Sequence, residues 1–429
     1  MFASLQQLIR RGLQPFLPGG GLRRDLLVST ADAVVFSVMV GCGETYIPAF
    51  GLALGLGPVA AGMLASLPVL VGAVVQLVTP LAVARLGTNL GWCVACTTVQ
   101  SLSFVPLVAW AIRGHATLWE LLLAASVYWS AGMAGGPAWN TWIGTLVPEK
   151  MRTAFFAQRN RLGQFGVFVG FVTGGLALQF GEARGWTLLA FAAIFAVAGA
   201  CRLVSMLLLA SCREPRRPPA SSSMGAPVPA IATRLRRAVA TMARSPSGAL
   251  VTYACALAFA AHFSGPYFTP YMLRDRGFSY HAFMLVIATQ FLAKAVALPW
   301  LGRVGSQFGS AGLLRVGGLS VIPLALLWLA SANVWYLMGV QLLAGCAWAA
   351  YELGISLLFF DAVPHEERTA VITAYNLGVA VATVAGAVSG GLLLRALGEN
   401  HSAYYAVFVV SSLLRLAAIP LLRRVRALA

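Results

Sequence analysis

Twelve predominantly apolar stretches, most of about 20 residues or more, follow one another along the chain and decide what it can become. They run roughly over 26–50, 58–83, 91–112, 118–145, 155–180, 186–210, 248–273, 280–302, 310–331, 334–360, 369–395 and 402–422. Hydrocarbon offers no partner to a peptide group, so a segment exposed to lipid must satisfy its own backbone hydrogen bonds. For runs of this length that means α-helices crossing a bilayer. Only 10% of the residues are charged and 59% are hydrophobic, whereas a soluble domain carries about 25% charged residues. Such a chain cannot cover itself with polar surface. The fold class that follows is an all-α polytopic membrane protein with twelve transmembrane helices. Pro48, Pro68, Pro137 and Pro266 fall inside these runs, where each removes a backbone donor and invites a kink.

The formal net charge is +17, a value that could suit nucleic acid, but its placement points to the membrane. Lys and Arg sit in the connections between apolar runs. With the N-terminus inside, nineteen of them lie in segments on that side and five (Arg113, Arg184, Arg274, Arg276 and Arg395) on the other. The positive-inside rule then places both termini in the cytoplasm, in a plasma or inner membrane. Residues 2–16 show either a short amphipathic surface helix or a disordered leader. The one long polar segment is rich in Pro, Ser and Arg and cannot bury a core. The chain therefore divides into an N-terminal segment (1–25), a six-helix bundle (26–210), a cytoplasmic linker (211–247), a second six-helix bundle (248–422) and a tail (423–429). A short surface helix near 231–243 fits the linker's sequence.

The two halves repeat each other. Val147-Pro148-Glu149-Lys150-Met151-Arg152-Thr153-Ala154 matches Val363-Pro364-His365-Glu366-Glu367-Arg368-Thr369-Ala370 at an offset of 216. The register continues through Asn160 and Asn376 to two ladders of small residues, Gly166, Gly170, Gly174, Gly175 and Ala382, Gly386, Gly390, Gly391. Arg85-Leu86-Gly87-Thr88-Asn89-Leu90-Gly91 matches Arg303-Val304-Gly305-Ser306-Gln307-Phe308-Gly309 at an offset of 218. Small residues at this spacing let helix backbones approach closely, either as static packing or as a sliding surface.

Six plus six spans, a central linker and the loops after spans two and eight resemble the major facilitator superfamily over nearly the whole chain. The resemblance implies two pseudo-symmetric halves around a central cavity, reached by alternating access and lined by spans one, four, seven and ten. The family's loop pattern GxxxDRxGRR is met in part: Arg85 and Gly87 fit, Ala84 replaces the acid, and Thr88 and Asn89 replace the basic pair. The second copy keeps Gly302, Arg303 and Gly305. Arg85, Arg152, Arg303 and Arg368 are the expected gating residues of these loops. Span five lacks the Gly-Pro pattern of the family's drug antiporters and span four lacks their arginine.

Ionisable groups at membrane depth are costly, which makes each a functional candidate. Asp32 and Glu44 lie in span one, about 18 Å apart along a straight helix, so they do not form one carboxylate pair. Glu352 is in span ten, Lys294 in span eight and His262 in span seven. Asp32, Glu44 and Glu352 are the candidates for proton coupling. Each also has a structural reading, as a cap, a vestibule group or half of a Lys294–Glu352 pair, and His262 reads first as a hydrogen-bonded core residue. Arg159 and Arg161 read as snorkelling side chains, or as contacts to an anionic solute. Trp139, Asn140, Tyr267 and Trp348, with Lys294, are the candidates for solute binding, since aromatic walls with few polar groups suit an organic solute. Trp119, Trp335 and Tyr336 read as interfacial anchors.

Of the seven cysteines, Cys93 and Cys96 form a CxxC with no second pair or nearby histidine, so small buried residues are expected rather than a metal site. No phosphate loop, catalytic carboxylate pair or nucleophile–base motif is present. The reading is a non-enzymatic, cofactor-free secondary transporter of a small organic solute, driven by protons or purely facilitative. Its partners are the solute, protons and membrane lipid, with no nucleic acid, and it acts as a monomer. A non-transporting assembly or sensor protein on the same scaffold, or a lipid flippase, is the alternative.

Overall fold

The computed structural model describes residues 21–214, 247–362 and 365–425. The expected surface helices near 2–16 and 231–243, and most of the linker, lie outside the described residues. Twelve long helices follow in order: α1 Gly21–Ala53, α2 Pro58–Leu86, α3 Asn89–Arg113, α4 Leu118–Leu146, α5 Glu149–Ala183, α6 Thr187–Ala210, α7 Gly248–Asp275, α8 Tyr280–Gly302, α9 Gly309–Leu327, α10 Val334–Ala362, α11 His365–Ala396 and α12 His401–Arg423. Each coincides with one apolar run. Eleven of them are long and apolar enough to cross a membrane. The other, α4, has 29 residues, ample length, but Trp, Gly, Ser, Asn and Thr dilute its second half. The chain is a multi-pass membrane protein.

Local chemistry explains several boundaries. α4 opens with a capping box in which Thr117 and Glu120 satisfy each other's backbone amides. α8 and α9 run together until Gly309, whose φ of 75° separates them, a conformation that favours glycine. α1 is interrupted by a tight turn at Glu44–Tyr46, just before Pro48. α7 is interrupted at Gly265–Tyr267, around Pro266. Pro68 and Pro137 sit inside helices that continue past them.

Within the N-terminal half α1 packs on α5 and α6, and α2 on α4; in the other half α7 packs on α11 and α10 on α8 and α9. The small-residue ladders lie at these seams. Gly170 meets the Val38 carbonyl of α1, and Gly386 meets the Phe259 carbonyl of α7. The ladders therefore pack each half together, and their far members, Gly175 and Gly391, also meet the opposite half, at Met284 and Val59.

The cores show how the halves meet. At the end away from the termini one continuous core joins them, with Tyr46, Phe50 and Phe171 packed together with Tyr267, Tyr271 and Phe283. At the end carrying the termini each half has its own core, around Leu26, Trp142 and Phe155 in one and Leu250, Tyr253 and Leu314 in the other. Among the described residues, every ring contact and hydrogen bond across the halves involves the outer parts of α1, α5, α6 and α8. These are Tyr46–Phe283, Phe171–Phe283, Phe171–Phe291, Phe191–Tyr280, and the bond from the His281 amide to Gln179 at 2.9 Å. The molecule is closed at that end.

Candidate functional site

Buried polar side chains of the N-terminal half form one network at membrane depth. Ser205 of α6 donates to Asp32 Oδ1 of α1 at 2.6 Å, and Arg202 Nη1 donates to the same Ser205 hydroxyl at 2.7 Å. Arg202 Nε donates to Gln100 of α3 at 2.7 Å. The other oxygen of Asp32 lies 3.5 Å from Arg159 Nη2 of α5. Arg159 in turn stacks over the Trp139 ring of α4 at 4.2 Å, with its Nε 3.4 Å from the Ser29 carbonyl. One carboxylate thus serves two guanidinium groups. Removing it would strand both charges in a medium that solvates neither.

Glu44 is different. Its carboxylate sits in the turn that interrupts α1 and accepts from the Tyr128 hydroxyl of α4 at 2.6 Å. Among the described residues no basic side chain pairs with it. In the C-terminal half Lys294 and Glu352 form an ion pair between α8 and α10, with Glu352 about 50% exposed and Lys294 19%. Their charges balance locally. His262 has Nδ1 2.9 Å from the Ala258 carbonyl and 3.5 Å from Thr383, the hydrogen-bonded core role anticipated for it.

The other sequence candidates scatter. Asn140 is exposed beside Trp139, and Trp348 is half-buried, edge-on to Tyr351 at 5.6 Å. Tyr267, expected to face a solute, lies instead in the closed end: it is 1% exposed, and its hydroxyl is consumed by the Ala387 carbonyl. The bend at Pro266 carries the ring away from any opening and into the seam with α11. Arg85 is exposed in the last turn of α2. The side chains of Arg152, Arg303 and Arg368 lie outside the described residues.

Two features escaped the sequence reading. Arg202 stands in the middle of an apolar run, so its signal was present, as was that of Arg415 in α12. Arg415 is 4% exposed and bonds the Val321 carbonyl at 2.9 Å and Ser264 at 3.4 Å. The second is Glu214, which looked like one charge in a basic linker. Its carboxylate covers the first turn of α3, accepting from Thr88 Oγ1, from the Asn89 amide at 3.0 Å and from the Leu90 amide at 3.2 Å. Next to it the Arg213 carbonyl accepts from Trp142 Nε1 at 3.1 Å. The loop whose acidic position is Ala84 therefore receives a carboxylate from the chain that follows α6. Burial acts to raise the Glu214 carboxyl, but these hydrogen bonds, with a fourth from Asn89 Nδ2 at 3.2 Å, outweigh it and hold it below its ordinary value.

An apolar groove of about 370 Å³ lies on the flank between α2, α3 and α4, lined by Val71, Val75, Trp92, Cys96, Leu123 and Val127 among others. No charged side chain lines it.

Residues 249–428 match the family model described as Major Facilitator Superfamily. The whole fold is shared with solved transporters: a variant of the nucleoside transporter NupG (TM-score 0.71, 13% identity, covering 92% of this chain and 99% of that one) and a bacterial homolog of the human lysosomal transporter Spinster, inward-facing and unoccupied (0.68, 16%, 95% and 96%). The C-terminal half of the chain thus matches the superfamily's sequence model, and the whole chain has the fold of these transporters. A third superfamily-like fold is the xylose transporter XylE from E. coli in a partially occluded inward open conformation (0.64, 13%, 92% and 96%). These likenesses establish the fold. No curated protein is similar enough in sequence to count as a relative.

Proposed function

We propose that this chain is a major facilitator superfamily secondary transporter that carries a small organic solute by alternating access, with proton movement coupled through Glu44. The single observation behind the transport reading is the shape of the core, which is shared by both halves at one end and split between them at the other. A centre closed on one side and open on the other is one of the two states that alternating access requires. With the termini cytoplasmic, as the distribution of Lys and Arg implies, this state faces inward.

The coupling assignment follows from partners. Asp32 and Glu352 each face a cation, whereas Glu44 faces a hydroxyl. A half-buried carboxyl whose partner among the described residues is a hydroxyl can exchange its proton without leaving a cation stranded, and its charge can then bias the rocking of the halves. The flank groove offers no charged group to hold a lipid headgroup, which favours a small solute over lipid flipping. Proteoliposome uptake across a solute panel, with and without a pH gradient, tests the proposal. Absence of uptake for every solute, with the protein still folded, would leave the non-transporting scaffold as the better reading.

A further inference from the structure

We infer that the solute carries a negative charge, and that its anionic oxygen group is held by Arg159 with Trp139. This rests on the transport reading above and names the substrate class. Three independent observations converge on it.

The first is charge balance. The network of the N-terminal half holds one carboxylate, Asp32, against two guanidinium groups, Arg159 and Arg202. The short contacts run on one side only, from Arg202 through Ser205 to Asp32 at 2.7 and 2.6 Å. Arg159 stands 3.5 Å from its carboxylate oxygen, long against the roughly 2.7–2.9 Å of a charge-assisted bond. The cluster therefore carries one positive charge more than its single carboxylate can balance, with Arg159 paired directly to Asp32 and Arg202 reaching it through a neutral hydroxyl.

The second is access. Arg202 is sealed, at 9% exposure for the residue, while the Arg159 side chain keeps 16%. It does so in the part of the molecule where the halves have separate cores. Stacking on Trp139 occupies the face of the guanidinium and leaves its edge, the part that grips carboxylates and phosphates. Among the described residues, Nη1 has no hydrogen-bond partner.

The third is an unused donor. Trp139 Nε1 is enclosed and, among the described residues, has no acceptor. An enclosed N–H without a partner is costly, and native structures supply one from a ligand or water. A guanidinium edge and an indole N–H together suit a carboxylate or a phosphate monoester, whereas an uncharged solute leaves the surplus charge of the cluster unbalanced.

The test is binding to detergent-purified full-length protein, followed by thermal shift and by competition in proteoliposome counterflow. The probes are benzoate, succinate and phenyl phosphate, each set against benzamide, succinamide and phenol. At least one anion should raise the melting temperature while its uncharged counterpart does not. Arg159→Gln and Trp139→Phe should each weaken that binding about tenfold or more, and Arg159→Lys should weaken it less. Trp139→Phe keeps an aromatic ring beneath Arg159 and removes the N–H, so it decides the matter if Arg159→Gln does not fold. Equal shifts from charged and uncharged probes, or unchanged affinity in Trp139→Phe and Arg159→Gln, would overturn the assignment. A shift seen only in nanodiscs containing phosphatidylglycerol, and not with soluble anions, would reassign the site to a lipid headgroup. Uptake of an uncharged solute with no anion bound would sink this inference and leave transport standing. Anion binding with no uptake of any solute would do the reverse.

Discussion

The ring of Tyr267 lies against Gly62 of the opposite half, while its hydroxyl donates to the Ala387 carbonyl of its own half. Tyr46 does the same work on the other side, donating to the Phe171 carbonyl at 2.7 Å with its ring on Gly174. The acceptors Phe171 and Ala387 are separated by 216 positions, the offset at which the loops repeat. Each tyrosine is the last residue of the break in its helix and seats α1 on α5, or α7 on α11. The outer edge of Tyr267 then seals against α2.

Gly62 is where this seal is most sensitive. A Cβ at Gly62 would fall 2.6 Å from the Tyr267 ring, and the ring cannot retreat without giving up Ala387. Gly62→Val should cost the closed state about 1–3 kcal/mol through overpacking and so populate states open at that end. Spin labels at Gly55 and Leu397, in a background with the seven cysteines replaced, should show a longer distance distribution. An unchanged distribution would mean that Tyr267 does not hold the seal.

Glu44→Gln isolates the coupling. Glutamine keeps an oxygen to accept from Tyr128 but cannot lose a proton. Uptake should become insensitive to an imposed pH gradient, whereas solute counterflow, which needs no net proton movement, should persist. Full pH-driven uptake in this variant would move the coupling site elsewhere.

Asp32→Asn should behave as a structural lesion. It leaves Arg159 and Arg202 without a carboxylate, and breaking a buried ion pair from one side costs about 3–5 kcal/mol. The melting temperature in detergent should fall markedly, and Asp32→Asn combined with Arg202→Met should recover part of the loss. A single variant with unaltered melting but lost pH dependence would return the coupling role to Asp32.

The helices were legible in the sequence because lipid imposes a single rule, and twelve apolar runs obey it. The repeat was legible because Arg85 to Gly91 and Arg303 to Gly309 differ little. The candidate site was legible only in part. Asp32 and Trp139 could be flagged by residue type and depth, but their joining through Arg159 depends on how α1, α4 and α5 pack. Tyr267 was misplaced because period and polarity do not reveal which side of a bend a ring takes. Glu214 was passed over because its contacts are 124 to 126 positions away in sequence, a separation no local pattern reports.

Glu214 lies outside the spans and gives a pH test with a definite sign. Its carboxylate sits at the first turn of α3, where negative charge is favourable, and its hydrogen bonds hold it below its ordinary value despite burial. A group depressed in the folded state contributes stability above its unfolded pKa and loses that contribution as pH falls through the folded one. Glu214→Ala should therefore lower stability by about 1 kcal/mol near neutral pH, as loss of a cap does. The difference in melting temperature from the parent protein should hold down to about pH 5 and close below about pH 4, given an unfolded glutamate near 4.3. Thr88→Ala should be at least as damaging, because Thr88 also accepts from the Gly91 amide at 3.1 Å. A gap that widened on acidification would show that the carboxylate is held by something other than these donors.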